Sequence, residues 1–143
     1  MDCIFCKIIR GEEPASMVYE DEMVLGFMTP HQFHEGMCLV TSKQHIDHFM
    51  DLPEDVAVRI IQTAQKIAKN IMREFQPQRV GYVVAGFGVL HAHLNIVSMK
   101  CRHDITSKHF AYMGDNGEFQ FSESHLPTAA RAELDQLAAR IKV

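Results

Sequence analysis

The alternation of hydrophobic and polar residues predicts several short strands and one long helix. Between Asp51 and Pro77, apolar residues recur at the spacing that places them on one face of a helix. Elsewhere, short apolar runs are bounded by glycine, proline or acidic residues, a pattern typical of strands. These runs predict five strands, at residues 17–20, 22–28, 37–41, 81–85 and 92–99.

The two ends of the chain predict further helices. Residues 3–10 carry an amphipathic pattern that stops at Gly11, which indicates a short N-terminal helix. Near the C-terminus, residues 118–121 predict an extra strand, and a last helix is expected after Pro127. Apolar residues share one face of this last helix: Leu134, Leu137, Ala138 and Ile141.

Strands on both sides of one long helix predict an α+β fold with a mainly antiparallel sheet of about five strands. A length of 143 residues suits one domain with a hydrophobic core. We therefore expect a single domain over residues 1–143, with its core at about 2–100 and a C-terminal extension at about 103–143.

Charge and composition narrow the function classes. The chain has 18 acidic and 14 basic residues and a net charge of -4, whereas a general nucleic-acid binder would carry a basic surface. No apolar run is long enough to cross a bilayer, and charges interrupt the apolar residues at the N-terminus. We therefore expect a cytoplasmic protein that binds neither nucleic acid nor membranes.

His91, His93 and Asn95 alternate along the fifth predicted strand, so their side chains are expected on one face. An imidazole is a good nucleophile at neutral pH. The nearby Gly86-Phe87-Gly88, predicted to be a tight turn, would let a ligand approach the backbone closely. The alternative is that the histidines lie on a polar sheet face without a chemical role.

Cys3 and Cys6 lie one helical turn apart, a spacing that suits two ligands of one metal ion. Two alternatives are a pair of buried apolar cysteines and a redox dithiol. Cys38 and Cys101 are interpreted as buried or incidental thiols. The histidines outside these motifs are expected to be mostly solvated: His31, His34, His48, His103, His109 and His125.

Several segments together resemble the histidine triad (HIT) family. Residues 3–15 match the family's opening almost throughout, and residues 18–21 continue the match. Residues 39–46 resemble the segment before the long helix, and residues 133–141 resemble the tail of bacterial members. The chain is therefore identified as a member of this family, well matched over about residues 2–100.

The resemblance implies a HIT-like fold and a nucleotide hydrolase or nucleotidyl transferase that acts at an α-phosphorus. His93 would attack and form a covalent nucleotidyl-histidine. Asn95 stands where the family has a third histidine, so it could donate a hydrogen bond but could not act as a general acid. The resemblance also implies a homodimer and a structural zinc ion, whose ligands would be Cys3, Cys6, His45 and His91.

The implied ligand is a nucleotide or a nucleotide-like phosphate. Its expected contacts are Phe5, Ile8, Phe27, Thr29, Gly86 and Gly88. The sequence also departs from the family, because Met28-Thr29 replaces an acidic residue, Met37 replaces a histidine, and the loop at 85–89 is short and lacks polar side chains. Thr29, His31 or His34 could supply replacement contacts. The alternative function is therefore a zinc-stabilised module that binds a nucleotide-like ligand with weak or lost catalysis.

Overall fold

The computed structural model describes residues 2–105 and 109–143. One five-stranded sheet dominates this part of the chain, and all its neighbouring strands are antiparallel, in the order β1-β2-β3-β5-β4. The predicted α+β class with an antiparallel sheet is thereby confirmed. The strands are β1 (Met17–Glu20), β2 (Val24–Met28), β3 (Cys38–Ser42), β4 (Arg79–Val83) and β5 (His93–Met99).

Three α-helices accompany the sheet within the described residues. The short N-terminal helix α1 ends before Gly11, which adopts a positive φ of 74°. A separate hairpin and two 3-10 helices complete the described structure. The helices are α1 (Ile4–Ile9), α2 (Glu54–Phe75) and α3 (Arg131–Ile141), the hairpin strands are β6 (Ala111–Met113) and β7 (Phe119–Phe121), and the 3-10 helices are Phe49–Asp51 and Arg102–Ile105.

The main core lies between α2 and one face of the sheet. Ile60, Ile67 and Ile71 of α2 are fully buried against Leu94 and Ile96 of β5. The predicted apolar face of α3 joins this core, and the backbone N–H of the C-terminal residue donates to a carbonyl of β1. Within the described residues, no helix is long and apolar enough to cross a bilayer.

The opposite face of the sheet is covered at one end by α1. Phe5 and Ile8 pack there against Phe27, Leu39 and a neighbouring leucine of β2. The strand register aligns Phe27, Leu39 and Asn95 across this face. We call this side of the sheet the α1 face. Alternate side chains of β5 lie on it, beginning with His93.

Two local predictions were wrong. The fourth strand covers residues 79–83 rather than 81–85, because the register pairs Val83 with Asn95 and the chain leaves the sheet before His93. Ala92 lies outside β5, because its N–H donates to the carbonyl of Ile46 and not to a neighbouring strand. The predicted tight turn at 86–88 is also absent, since residues 84–92 form an irregular connection of bends.

Candidate functional site

Four potential metal ligands converge where α1 meets the start of β5. Cys3 and Cys6 lie at the start of α1 and within it, His45 follows β3, and His91 precedes β5. Their donor atoms all lie within 4.8 Å of one another. We call these residues the cysteine–histidine cluster; it brings together all four residues that were expected to hold zinc.

The distances within this cluster suit a tetrahedral metal ion. Cys3 Sγ and Cys6 Sγ lie 3.5 and 3.7 Å from His91 Nδ1, and Cys6 Sγ lies 3.3 Å from His45 Nδ1. Tetrahedral zinc with ordinary bond lengths would separate a sulfur ligand from a nitrogen ligand by about 3.5 Å. The donor set and these sulfur-to-nitrogen distances therefore fit zinc.

The His91 ring is held for this role by a backbone contact. Its Nε2 lies 2.7 Å from the carbonyl oxygen of Ser42, so Nε2–H donates there and Nδ1 presents its lone pair to the sulfur atoms. Burial lowers the pKa of His91, which favours the neutral ring that a metal requires. A backbone acceptor of this kind commonly fixes the orientation of a metal-binding histidine.

His93 lies next to this cluster but points along the α1 face. Its Nδ1–H donates to the carbonyl oxygen of His91 over 2.6 Å, which leaves the lone pair on Nε2. The residue is 7% exposed, and its ring contacts that of Phe5 with ring centroids 5.1 Å apart and an interplanar angle of 85°. The tautomer and the ring plane of His93 are therefore both fixed, and Nε2 is the ring nitrogen whose lone pair remains free.

Asn95 lies two positions further along β5 on the same face. It is half-buried between Leu39 of β3 and Val83 of β4. Among the residues that the structure describes, its side-chain amide has no hydrogen-bond partner. The amide is therefore available to a ligand that binds next to His93.

The structure brings the predicted apolar ligand contacts together and places Thr29 apart from them. Phe5, Ile8 and Phe27 are buried together under α1, and Phe5 bridges the rings of Phe27 and His93. Thr29 lies outside this group, because its hydroxyl donates to the carbonyl of Met37 in its own loop.

The two predicted glycines lie in the irregular connection before β5. Gly86 adopts a positive φ of 88°, a conformation that favours glycine. Gly88 borders an open cleft of about 500 Å³ that Cys3 and His45 also line. The structure therefore places Gly88 beside the cysteine–histidine cluster.

The two loop histidines that could supply replacement ligand contacts are each hydrogen-bonded to a residue of the C-terminal extension. His31 Nδ1 lies 3.1 Å from the Pro127 carbonyl oxygen, and His34 Nε2 lies 3.0 Å from Asp104 Oδ2. His109, which was expected to be solvated, contacts the other oxygen of Asp104 at 2.9 Å. These contacts reveal a second group of potential ligands, His34, Asp104 and His109, which we call the histidine–aspartate cluster.

Comparison with known proteins agrees with this geometry. The HIT domain family model matches residues 10–101. A HIT-like protein of Methanocaldococcus jannaschii is 32% identical over 145 residues, which cover 98% of each chain. An adenylylsulfatase of Arabidopsis thaliana is 30% identical over 106 residues, which cover 71% of this chain and 54% of that protein.

A solved structure extends the similarity over nearly the whole chain. A zinc-bound histidine triad family protein of Mycobacterium smegmatis matches with a TM-score of 0.70 and 25% identity. The match covers 99% of this chain and 94% of the other. The predicted HIT-like arrangement of sheet and helices is thereby confirmed.

Proposed function

Because this chain belongs to the histidine triad (HIT) family, we propose that it is a nucleotide hydrolase or nucleotidyl transferase that acts at an α-phosphorus through His93. The observation that carries this proposal is the hydrogen bond from His93 Nδ1–H to the His91 carbonyl. That bond leaves Nε2 unprotonated and fixes its direction. One relative, the adenylylsulfatase of Arabidopsis thaliana, is named for action on an adenylyl sulfate, a nucleotide whose α-phosphate carries the leaving group.

In the proposed reaction, the Nε2 lone pair forms a bond to the α-phosphorus while the bond from phosphorus to the leaving group breaks. The leaving group departs with the bonding electrons and takes a proton from solvent. The His93 ring is then positively charged, and the His91 carbonyl stabilises it by accepting the Nδ1–H. Water, or another hydroxyl, next attacks phosphorus, releases a proton and restores the free imidazole.

Asn95 would bind a phosphate oxygen through its amide N–H groups. An amide does not titrate, so it cannot protonate a departing alkoxide or amine. We therefore expect faster turnover with leaving groups that are already stable as anions, such as sulfate or pyrophosphate, than with basic leaving groups.

We propose that the cysteine–histidine cluster holds a structural zinc ion through Cys3, Cys6, His45 and His91. When bound, zinc would tie α1 to the segment before β5. The His91 backbone then holds the Nδ1–H of His93, while α1 places Phe5 against the ring. The cluster would therefore position the nucleophile without taking part in the reaction.

Turnover of adenosine phosphosulfate, adenosine phosphoramidates and dinucleoside polyphosphates would test the catalytic proposal. His93→Ala should lower kcat by at least about 10³-fold, because the reacting nitrogen is removed. Acid quenching of the wild type should trap a nucleotidyl adduct that is absent from His93→Ala. Thr63→Ser, a conservative change in the core, is the matched control and should retain turnover.

Asn95→His would test the role assigned to the amide. A titratable group at this position should raise kcat for basic leaving groups by about 10²-fold, with little change for sulfate or pyrophosphate. An equal increase for every leaving group would contradict the assignment.

A second candidate function is a zinc-stabilised module that binds nucleotide-like ligands with weak or lost catalysis. The connection from Val84 to Leu90 favours it, because none of its side chains can donate a hydrogen bond to phosphate, and Phe87 is 95% exposed there. Ligand binding by both wild type and His93→Ala, without turnover or adduct, would support this function over the enzyme.

We also propose the homodimer that the family resemblance implies. β4 is an edge strand of the described sheet, and its Tyr82 is 40% exposed. An exposed edge can pair with the same edge of a second copy. Tyr82→Lys should therefore shift the mass measured by light scattering from dimer towards monomer, whereas a monomeric wild type would refute the proposal.

A further inference from the structure

The histidine–aspartate cluster lies outside the site described above. It joins the loop between β2 and β3, which contains His34, to the C-terminal extension, which contains Asp104 and His109. The two imidazole Nε2 atoms approach different oxygens of the same carboxylate, at 3.0 and 2.9 Å. One potential ligand atom from each residue lies within 4.8 Å of the others.

The carboxylate of Asp104 is fixed in place by the backbone. The N–H groups of Lys100 and Cys101 donate to Oδ2 at 2.7 and 2.9 Å, and only 3% of the side chain is exposed. Burial alone would raise the pKa of Asp104. The hydrogen bonds from His109, both backbone N–H groups and His34 outweigh burial and hold the pKa well below its usual range.

The ring of His109 is also fixed. Phe33 stacks on it with ring centroids 4.3 Å apart and an interplanar angle of 13°. Its side chain and that of His34 remain 22% and 19% exposed, so solvent reaches the cluster. The cluster therefore combines oriented ligands with room for water.

We propose that His34, Asp104 and His109 form a second metal site, which takes a divalent transition-metal ion such as Zn²⁺ or Co²⁺. Two imidazoles and one carboxylate are a common ligand set for these ions, and the remaining positions are filled by water. Donor atoms about 3 Å apart suit bonds of ordinary length to such an ion. Backbone N–H groups on the ligating carboxylate supply the outer hydrogen bonds that metal sites use.

The site would fasten the C-terminal extension to the sheet. Ile105, the neighbour of Asp104, packs over Gly81, where an added Cβ would lie 2.6 Å from Ile105 Cδ1. Gly81 is paired with Val97 and lies on the α1 face, beyond Asn95 and away from α1. A metal ion bound here would therefore hold the C-terminal extension over the end of the α1 face that helix α1 does not cover.

Metal counting after Zn²⁺ or Co²⁺ loading and gel filtration tests this proposal. The wild type should retain about two equivalents, and His34→Gln/His109→Gln should retain one. The remaining Co²⁺ should keep the thiolate charge-transfer absorption of the cysteine–histidine cluster. Cys3→Ser/Cys6→Ser should also retain one equivalent but lose that absorption. His48→Gln, an exposed histidine outside both clusters, should retain two.

The competing explanation is that the two imidazoles only donate hydrogen bonds to Asp104. In that case the wild type retains one equivalent, all of it lost with Cys3 and Cys6, and the second site is overturned. Retention of two equivalents by His34→Gln/His109→Gln would overturn it as well. A wild-type count of one overturns the site whatever the variants do, and the thiolate absorption kept by His34→Gln/His109→Gln shows that this variant is still folded.

Discussion

The two clusters differ in ligand chemistry and in what they connect. The cysteine–histidine cluster offers two sulfurs and two imidazoles, which complete a tetrahedron without water. The histidine–aspartate cluster offers two imidazoles and a carboxylate and remains open to solvent. An ion bound at the first cluster should therefore be held more tightly than an ion bound at the second, and a chelator should remove the second ion first.

Their connections to His93 differ as well. In the first cluster, His91 supplies both a metal-facing Nδ1 and the carbonyl that accepts from His93 Nδ1–H. In the second, the connection to the α1 face runs through the packing of Ile105 on Gly81 and through the hydrogen bonds that Asp104 accepts from the backbone just after β5. Loss of an ion from the first cluster should therefore affect both stability and the orientation of His93, and loss of an ion from the second should mainly loosen the C-terminal extension.

The largest expected effect is on the free energy of unfolding. Cys6→Ser should lower it by about 4 kcal/mol or more, since a structural metal contributes directly to folding. His109→Gln should lower it by about 1 kcal/mol, the usual size for one partly exposed polar contact. Urea unfolding in zinc-saturated buffer measures both. Equal losses in the two variants would contradict the distinction between a closed and an open site.

A second effect is expected in thiol labelling with a chromogenic reagent. In the zinc-loaded protein only the exposed Cys101 should react rapidly, because burial raises the pKa of Cys38 and zinc would coordinate the other two thiols. A weak chelator should remove the ion of the histidine–aspartate cluster without adding reactive thiols. A strong chelator should then expose Cys3 and Cys6.

Cys101→Ser provides the control for this experiment, since it should abolish the rapid phase in the zinc-loaded protein. Rapid reaction of Cys3 or Cys6 before strong chelation would show that the first site does not hold its ion tightly. The order in which chelators remove the two ions would then not distinguish the two clusters.

Local patterns predicted the elements whose stabilising contacts are also close in sequence. The spacing of apolar residues located α2 correctly because its buried residues repeat along one helix face. Cys3 and Cys6 stood out because both ligands come from one helical turn. His45 and His91 are distant from that turn in sequence, so their place in the cluster was expected only from the family resemblance.

The histidine–aspartate cluster could not be predicted from local pattern. His34 and Asp104 are 70 positions apart, and the contact between them depends on the C-terminal extension folding back over the sheet. The residues around Asp104 show no motif with ligand spacing. The irregular connection before β5 was missed for a related reason, since the contact between Ala92 and Ile46 is also long-range.

The smallest expected effect comes from substituting Gly81, which belongs to neither cluster. Gly81→Ala would place a Cβ 2.6 Å from Ile105 Cδ1 and 2.7 Å from Met99 Sδ. Both neighbours are flexible side-chain ends, so the free energy of unfolding should fall by only about 1 kcal/mol. The displaced Ile105 should carry Asp104 with it, and Co²⁺ should therefore bind the histidine–aspartate cluster several-fold more weakly.

Gly81→Ala/Ile105→Ala should restore this affinity, because the shorter side chain leaves room for the new methyl group. The thiolate absorption of Co²⁺ in the cysteine–histidine cluster should be unchanged in both variants. Gly81→Ala could instead weaken Co²⁺ binding at the cysteine–histidine cluster. Strain would then be transmitted along the whole α1 face, and the two clusters would be coupled. Unchanged Co²⁺ binding at the cysteine–histidine cluster, with weaker binding at the histidine–aspartate cluster, would establish that the extension is fastened independently of His93.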